Sequence, residues 1–328
     1  MRSFSYIFAI MLLLTLFSST QAQASSVQQG DTAHYVVDTT WPKKPERFKW
    51  AQMPGIAIDK QDQIYIYTRS QPTVQVYNTD GVLLRAWYME DSSGSHFIRV
   101  GPEGNIWTAN IAEHVIRKYS PKGKLLLTLG EPGVAGADKG HFDRPTDMAI
   151  LPGGDIFVSD GYGNRRVVHF DADGNYVNQW GREGDGPGQF ALPHAIVADS
   201  QHRLYVADRE NARIQVFGIG GKLLAVWEDV VTPWGLCMTK KDEIWACGSS
   251  VKKDDNGKCL VLPPSDQVLM KLNLDGKVLL RVTLKKTAAP PGKSGELDWV
   301  HAIAFDSKGN LYLGDIQGRR AQKFIRKQ

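Results

Sequence analysis

The stretch HAIVADSQHRLYVAD, residues 194–208, decides the fold of this chain. It consists of an alternating apolar segment, a polar turn and a second apolar segment that ends in aspartate, the pattern of a β-hairpin. Two further alternating segments follow at 213–217 and 222–227, with the turn Gly220-Gly221 between them. The unit is therefore predicted to form four short antiparallel strands joined by hairpin turns.

The same pattern occurs six times along the chain. The copies are 54–68, 96–110, 146–160, 194–208, 234–248 and 301–315. A four-stranded unit repeating at about 40–50 residues, here with one longer gap, is typical of a propeller blade. We therefore predict an all-β fold, a six-bladed β-propeller. The last copy ends after its third strand at 323–325, and the segment 34–37 precedes the first copy. We expect that segment to complete the last blade and close the ring, because closure removes an exposed sheet edge.

The first residue of each copy is predicted to lie at one mouth of the central channel. These residues are Pro54, His96, Thr146, His194, Trp234 and His301. Alternate blades of a six-membered ring are about 120° apart, so the three histidines should converge on the axis. Three neutral nitrogen ligands with an open coordination position suit a catalytic zinc-type ion. The alternative is three unrelated polar residues beside a wet channel.

Composition limits the classes of partner. The chain has 39 Lys+Arg and 35 Asp+Glu, a net charge of +4, with the basic residues scattered along it. This balance argues against a nucleic-acid partner.

Residues 1–24 have the features of a cleaved export signal. Arg2 provides a positive start, 7–17 form a short apolar core, and Ala22-Gln23-Ala24 is a small-residue cleavage site. The apolar run is too short for a stable membrane anchor, and no later stretch is apolar enough to span a membrane. We expect a periplasmic or secreted protein, not inserted in a membrane, whose propeller domain spans 25–328.

The three cysteines, Cys237, Cys247 and Cys259, all belong to the fifth copy. In an oxidising compartment Cys247 and Cys259 can form a disulfide that staples the polar insertion 248–258. The other interpretation is that all three thiols are reduced or buried.

The fourth copy also carries a family resemblance. From Gly188-Gln-Phe-Ala-Leu-Pro-His194 through Ala207-Asp-Arg-Glu-Asn-Ala-Arg-Ile-Gln-Val-Phe217 it resembles an NHL repeat, a class that indicates a fold and no particular function. Over about residues 53–324 the chain more closely resembles the catalytic core of peptidyl-α-hydroxyglycine α-amidating lyase (peptidylamidoglycolate lyase). The most similar segments are 141–147, 157–164 and 179–181.

This resemblance implies a zinc-dependent lyase. It implies one Zn²⁺ held by three histidines, matched here by the histidines of the first, channel-lining position. It also implies cleavage of a peptide ending in α-hydroxyglycine into a peptide amide and glyoxylate. The catalytic tyrosine of the family matches Tyr162, and its two substrate-site arginines match Arg69 and Arg209.

The chemistry gives each of these residue types a role. Zinc favours loss of the hydroxyl proton, a nearby tyrosinate is a feasible base, and arginines bind a terminal carboxylate through paired hydrogen bonds. Arg69 and Arg209 lie fifteen positions, and Tyr162 sixteen, after the first residue of their copies, so all three are expected at one mouth. Simpler interpretations exist: Arg209 lies in a common NHL sequence, Tyr162 can cap its hairpin, and Arg69 can be solvated. The equivalent aspartates read as structural: Asp160, Asp208 and Asp315.

Two positions depart from the family. Ala302 replaces an aspartate that helps to bind a structural Ca²⁺, whose other ligands are backbone carbonyls that match Ile56 and Ile98. Loss of the carboxylate argues against this Ca²⁺. Trp299 replaces a methionine of the substrate pocket and should reshape that pocket.

Three functions are compatible with the sequence. The leading one is an exported zinc lyase acting on a small-molecule or peptide substrate with a terminal carboxylate. The second is a metal-dependent hydrolase or lactonase in which the ion activates water. The third is a non-catalytic NHL propeller that binds a peptide, a glycan or a protein partner. The triad argues against the third, and Tyr162 favours the first over the second because water activation more naturally uses a carboxylate base. The oligomeric state stays open.

Overall fold

A computed structural model describes residues 35–261, 263–289 and 291–327. The predicted export signal, 1–24, and the start of the predicted domain at residue 25 lie outside the described residues and stay predictions. None of the helical segments among the described residues is long and apolar enough to cross a membrane.

The described chain forms six four-stranded antiparallel sheets. The first two blades contain β2 (Gly55–Ile58), β3 (Ile64–Tyr67), β4 (Val74–Tyr77) and β5 (Leu83–Trp87), then β6 (Ser95–Val100), β7 (Ile106–Asn110), β8 (Val115–Tyr119) and β9 (Leu125–Leu129). The next two contain β10 (Asp147–Ile150), β11 (Ile156–Asp160), β12 (Arg166–Phe170) and β13 (Tyr176–Trp180), then β14 (Pro193–Ala198), β15 (Leu204–Asp208), β16 (Arg213–Phe217) and β17 (Leu223–Trp227). The last two contain β18 (Thr232–Met238), β19 (Ile244–Ser249), β20 (Gln267–Leu272) and β21 (Val278–Leu284), then β22 (Val300–Phe305), β23 (Leu311–Asp315), β24 (Arg320–Arg326) and β1 (Tyr35–Val37).

The sheets close into a ring. Each inner strand packs against the inner strands of both neighbouring blades, and β22 of the last blade contacts β2 of the first. The short β1 pairs with β24, with Tyr35 opposite Arg326 and Val37 opposite Phe324. The predicted six-bladed propeller, closed by the N-terminal strand, is confirmed.

Burial follows from packing blades face to face. Strands such as β7, β11 and β15 are buried at every residue because both faces of each sheet contact another blade. The outermost strands, such as β13, alternate between partly buried and exposed residues. The sheet interior therefore reads as continuous apolar runs, as expected for strands covered on both faces.

The two faces of the ring differ in their connections. On the face away from the channel-lining histidines, every connection within a blade is five residues long, as in 151–155 and 171–175. In the second of these, Gly174 adopts φ 85°, a left-handed conformation that favours glycine. On the histidine face the connections range from four residues to the seventeen of 130–146 and 250–266. Variable loops on one face of a rigid scaffold are where binding sites usually form.

Of the two interpretations of the cysteines, the structure supports free thiols and not the Cys247–Cys259 disulfide. All three cysteines are free. Cys247 is buried in β19 opposite Gly235, whereas the Cys259 sulfur lies 3.6 Å from the Asn211 carbonyl oxygen. The strand register directs Cys247 into the core of the fifth blade, away from the insertion that it was expected to staple.

Candidate metal centre

The six residues that begin the inner strands form an alternating ring of imidazoles and carbonyls. The Nδ1 atoms of His96, His194 and His301 lie 2.7, 2.6 and 2.7 Å from the backbone oxygens of the next residue around the ring. Those oxygens belong to Thr146, Trp234 and Pro54. Each blade without a histidine thus supports the histidine of the preceding blade.

These hydrogen bonds determine the state of the rings. A carbonyl oxygen only accepts, so each Nδ1 carries the proton and each Nε2 keeps its lone pair. The ring centroids are 4.8, 4.8 and 4.9 Å apart, and one ligand atom from each histidine lies within 4.8 Å of the others. A second hydrogen bond that fixes the tautomer and orientation of each ring is a general feature of metal-binding histidines. The triad can therefore hold a metal ion.

The electrostatic environment keeps the three imidazoles neutral. Burial lowers the pKa of His96 and His194 well below the ordinary value of 6.5, and the positive charges of Arg69 and Arg209 add to this for His96. Burial likewise lowers the pKa of His301 to about 3. Neutral imidazole is the form that binds a metal, so protons compete weakly at this site.

Tyr162 lies beside the triad, as its sequence position predicts. Its hydroxyl oxygen is 3.2 Å from the Nε2 atom of His96 and 3.1 Å from that of His194. Since both nitrogens are acceptors, the hydroxyl donates to one of them. The side chain thus reaches the atoms that would face a metal.

Both predicted arginines lie on the histidine face near this tyrosine. Arg209 places its Nη1 atom 3.5 Å from the Tyr162 hydroxyl and its Nη2 atom 2.9 Å from a Glu210 carboxylate oxygen. Arg69 donates from Nε to the carbonyl of Ser95, at 3.0 Å, and burial lowers the pKa of its guanidinium. The structure therefore brings Arg69, Tyr162 and Arg209 to the histidine face.

The loop that carries Tyr162 is held by contacts that the sequence did not reveal. A Cβ atom at Gly161 would lie 2.0 Å from the Pro193 carbonyl, so only glycine allows the loop to lie this close to the next blade. Arg144 and Arg165 donate to the Tyr162 carbonyl at 3.2 and 2.6 Å. The repeat pattern does not identify these two arginines, because their partner is a backbone carbonyl, a group that every residue has.

The aspartates at the ends of the second strands are structural, as expected. Asp208 accepts hydrogen bonds from the backbone amides of Ala191 and Leu192, at 2.9 and 3.1 Å, and from Arg213, at 2.9 Å. Asp160 and Asp315 make equivalent contacts with the loops before their own blades. They fix the loops that lead into the inner strands and so position the residues that follow.

Below the triad the channel is closed by Phe97 and an ion pair. The Phe97 ring centroid is 4.9 Å from that of His301, and the Arg99 guanidinium lies 5.1 Å from the Phe97 ring. Arg99 donates to Asp147, at 2.9 Å from Nε, and to the Leu236 carbonyl, at 3.1 Å from Nη1. Sequence reasoning missed this pair because its members are 48 positions apart.

The Arg99–Asp147 ion pair is relevant to the structural Ca²⁺ of the related lyases, whose carboxylate ligand is replaced here by Ala302. Ala302 is buried and provides no side-chain oxygen. The guanidinium of Arg99 already supplies positive charge inside the channel, where it binds a carboxylate and a carbonyl, the oxygen ligands that Ca²⁺ prefers.

A cavity lies on each face of the ring. The larger, about 780 Å³, opens on the face away from the triad, reaches Arg99 and is lined by none of the predicted zinc ligands or catalytic residues. The smaller, about 230 Å³, is lined by Arg209 and lies on the histidine face. We regard the smaller cavity as the one relevant to the site because of this contact.

Comparison with known proteins agrees with the fold and the repeat. The NHL repeat family matches residues 142–170 and 190–217. Among solved structures, a streptogramin B lyase superposes with a TM-score of 0.60 at 15% identity, covering 90% of this chain and 99% of that one. A gluconolactonase from Xanthomonas campestris gives 0.60 at 13% identity, over 85% and 88%. At such identities the likeness shows the fold alone, which defines this protein as a six-bladed NHL-repeat propeller.

Sequence relatives give the family. Human NHL repeat-containing protein 3 is 31% identical over 318 residues, 89% of this chain and 84% of that protein. The chain therefore belongs to the family of NHL repeat-containing protein 3. It is also 31% identical to the Caenorhabditis elegans protein "Probable peptidyl-alpha-hydroxyglycine alpha-amidating lyase", over 52% of this chain and 56% of that protein. Peptidyl-alpha-hydroxyglycine alpha-amidating lyase 1 of Drosophila melanogaster is 37% identical over 37% of this chain and 25% of its own length.

Proposed function

We propose that this protein is a zinc-dependent lyase that cleaves a peptidyl or N-acyl α-hydroxyglycine into an amide and glyoxylate. One observation carries the proposal: the Tyr162 hydroxyl lies 3.2 and 3.1 Å from two imidazole Nε2 atoms of a three-histidine cluster. The sequence relatives named for this lyase activity support the same reaction.

The donor set suits zinc. His96, His194 and His301 provide three neutral nitrogen ligands, the number that catalytic zinc sites use while keeping one position open. Zn²⁺ bound by these histidines would polarise the substrate oxygen and favour loss of its proton.

The remaining steps belong to the residues of the chain. The Tyr162 phenolate takes the proton of the α-hydroxyl, the electron pair left on that oxygen forms the C=O bond of glyoxylate, and the C–N bond breaks with its electron pair on the amide nitrogen. The departing amide nitrogen then takes a proton back from Tyr162, so that no proton is gained or lost. Arg69 and Arg209 hold the carboxylate, and Arg209 also lies 3.5 Å from the Tyr162 hydroxyl, beside the group that moves the proton.

The geometry favours this reaction over hydrolysis. A water-activating site is best served by a carboxylate base. In the described part of the chain, Glu210 has a carboxylate at this site, and one of its oxygens lies 2.9 Å from the Nη2 atom of Arg209. This carboxylate is engaged by Arg209, whereas the Tyr162 hydroxyl lies against the triad.

Glyoxylate release from α-hydroxyhippurate tests the proposal. The zinc-loaded protein should release glyoxylate, and Tyr162→Phe should reduce kcat by at least about 100-fold because it removes the group that moves the proton. Metal content and thermal unfolding of the variant should match those of the wild type. A zinc-loaded wild type that releases no glyoxylate would refute the proposed reaction.

We also propose that the protein is exported, on the basis of the signal in 1–24. N-terminal sequencing of the mature protein should then begin near Ser25. A mature chain that retains Met1 would contradict export by this signal.

A further inference from the structure

The smaller cavity lies against the proposed catalytic site. It has a volume of about 230 Å³ and is lined by Arg209, Thr232, Trp234, Leu260, Val261 and Trp299, among others. We propose that this cavity binds an apolar, preferably aromatic group attached to the substrate next to its α-hydroxyglycine. This inference rests on the proposed lyase function and names the substrate class of that site.

The inner wall of the cavity is aromatic and rigid. The Trp234 and Trp299 rings pack with centroids 5.3 Å apart and planes at 46°. The Trp234 carbonyl accepts the hydrogen bond from His194, and the Trp299 amide donates to Asp315 at 2.9 Å. Because the Trp234 backbone also supports His194, this wall has a fixed position relative to the reacting atoms, and a preformed aromatic wall favours a flat apolar group.

The outer wall consists of exposed apolar side chains. Leu260 and Val261 are 40% and 63% exposed, in the insertion 250–266 between β19 and β20. The insertion is anchored: the Leu260 amide donates to the Lys252 carbonyl at 2.8 Å, and Cys259 contacts Asn211, two residues after Arg209. An apolar ligand group would cover these side chains and gain free energy of burial.

Size and charge narrow the choice of ligand group. Complete ligand pockets usually measure about 300–1,000 Å³, so this cavity suits one ring or one branched aliphatic chain. Glu210 and Arg209 both line the cavity and pair with each other, so their charges are balanced and do not favour an acidic ligand group there. The cavity therefore favours a benzoyl-like or large apolar residue over an acetyl, glycyl or acidic one.

Two substrates and two ligands that differ only in this group test the inference. Glyoxylate release is measured for benzoyl- and acetyl-α-hydroxyglycine, and calorimetry measures binding of the unreactive hippurate and N-acetylglycine to the zinc-loaded protein. We expect the benzoyl compounds to have at least about tenfold higher kcat/KM and at least about tenfold lower Kd. Trp299→Leu and Val261→Ser should each reduce both ratios by about threefold or more. Val134→Ser is the matched control: Val134 is 39% exposed in the connection 130–146 of the same face and should leave the ratios unchanged.

The readouts separate this inference from the proposed reaction. If neither substrate releases glyoxylate but hippurate still binds more tightly and Val261→Ser weakens that preference, the reaction is wrong and the apolar pocket stands. Equal kcat/KM and equal Kd for the benzoyl and acetyl compounds would overturn the pocket assignment. So would ratios that neither Trp299→Leu nor Val261→Ser changes.

Discussion

Each imidazole of the triad owes its orientation to one hydrogen bond with a backbone carbonyl. The three carbonyls belong to Pro54, Thr146 and Trp234, residues with nothing in common but their position in the repeat. The sequence therefore predicts the imidazoles, whose residue type is visible, but not the oxygens that orient them, because every residue has a carbonyl. The arginines that hold the Tyr162 loop were missed for the same reason.

The neutral state of the triad predicts a loss of stability in acid. Burial holds the folded-state pKa of all three imidazoles below 6.5, with that of His301 at about 3. The unfolded chain therefore binds protons that the folded chain does not, and stability present above pH 6.5 is lost as the pH falls toward the folded values. For each imidazole that stays neutral in the folded protein, the free energy of unfolding should fall by about 2 kcal/mol between pH 7 and pH 5.

Urea unfolding of the metal-free protein at pH 7 and pH 5 measures this loss. His301→Asn, which keeps an amide donor near the Pro54 carbonyl but does not titrate, should lose less stability over this range than the wild type. Identical pH dependence of the two proteins would mean that this imidazole is not held neutral.

The sequence pattern predicted the inner strands well, but it did not predict the side-chain contacts between them. Alternation within one copy identifies β6 and β10 as strands, but the pairing of Arg99 with Asp147 depends on where the ring places two blades. The blade-five insertion behaves similarly: it is visible as a longer gap, whereas its position beside Arg209 is a property of the folded ring.

Breaking the channel ion pair between Arg99 and Asp147 should destabilise the protein. Arg99→Met should lower the free energy of unfolding by about 3–5 kcal/mol because it leaves the fully buried Asp147 carboxylate without its cation. Arg99→Met combined with Asp147→Leu should recover much of the loss, since no buried charge remains. Chemical denaturation provides the measurement.

An exposed ion pair serves as the control. Lys253 and Asp229 are 38% and 54% exposed, and Lys253→Met should leave the stability nearly unchanged because exposed ion pairs contribute little. If Arg99→Met costs no more than Lys253→Met, the buried Asp147 carboxylate does not depend on Arg99 for its stability.

For the whole molecule, ring closure depends on three residues far from the rest of their blade. The missing fourth strand of the last copy and the alternating segment before the first copy were enough to predict the pairing of β1 with β24. Counting strands is sufficient here because an open propeller would leave one unpaired edge.

Adjacent residues of β1 test the contribution of closure. Val37 packs into the core of the last blade, whereas Val36 is 47% exposed. Val37→Asp should destabilise the protein by about 1–3 kcal/mol and increase its aggregation, while Val36→Asp should stay within about 0.5 kcal/mol of the wild type. Thermal unfolding and size-exclusion chromatography distinguish the two; equal effects would indicate that β1 does not seal the ring.

We propose that histidines from three alternate blades form one metal centre, and the metal content of the purified protein tests this proposal. Purified protein should contain about one zinc-like ion per chain, and His194→Ala should abolish binding, because two imidazoles are too few for a site of this kind. The exposed His202, on the opposite face, is the matched control, and His202→Ala should keep the full metal content. Wild-type protein that contains no metal and takes up none from added zinc, or equal metal content in both variants, would contradict the account.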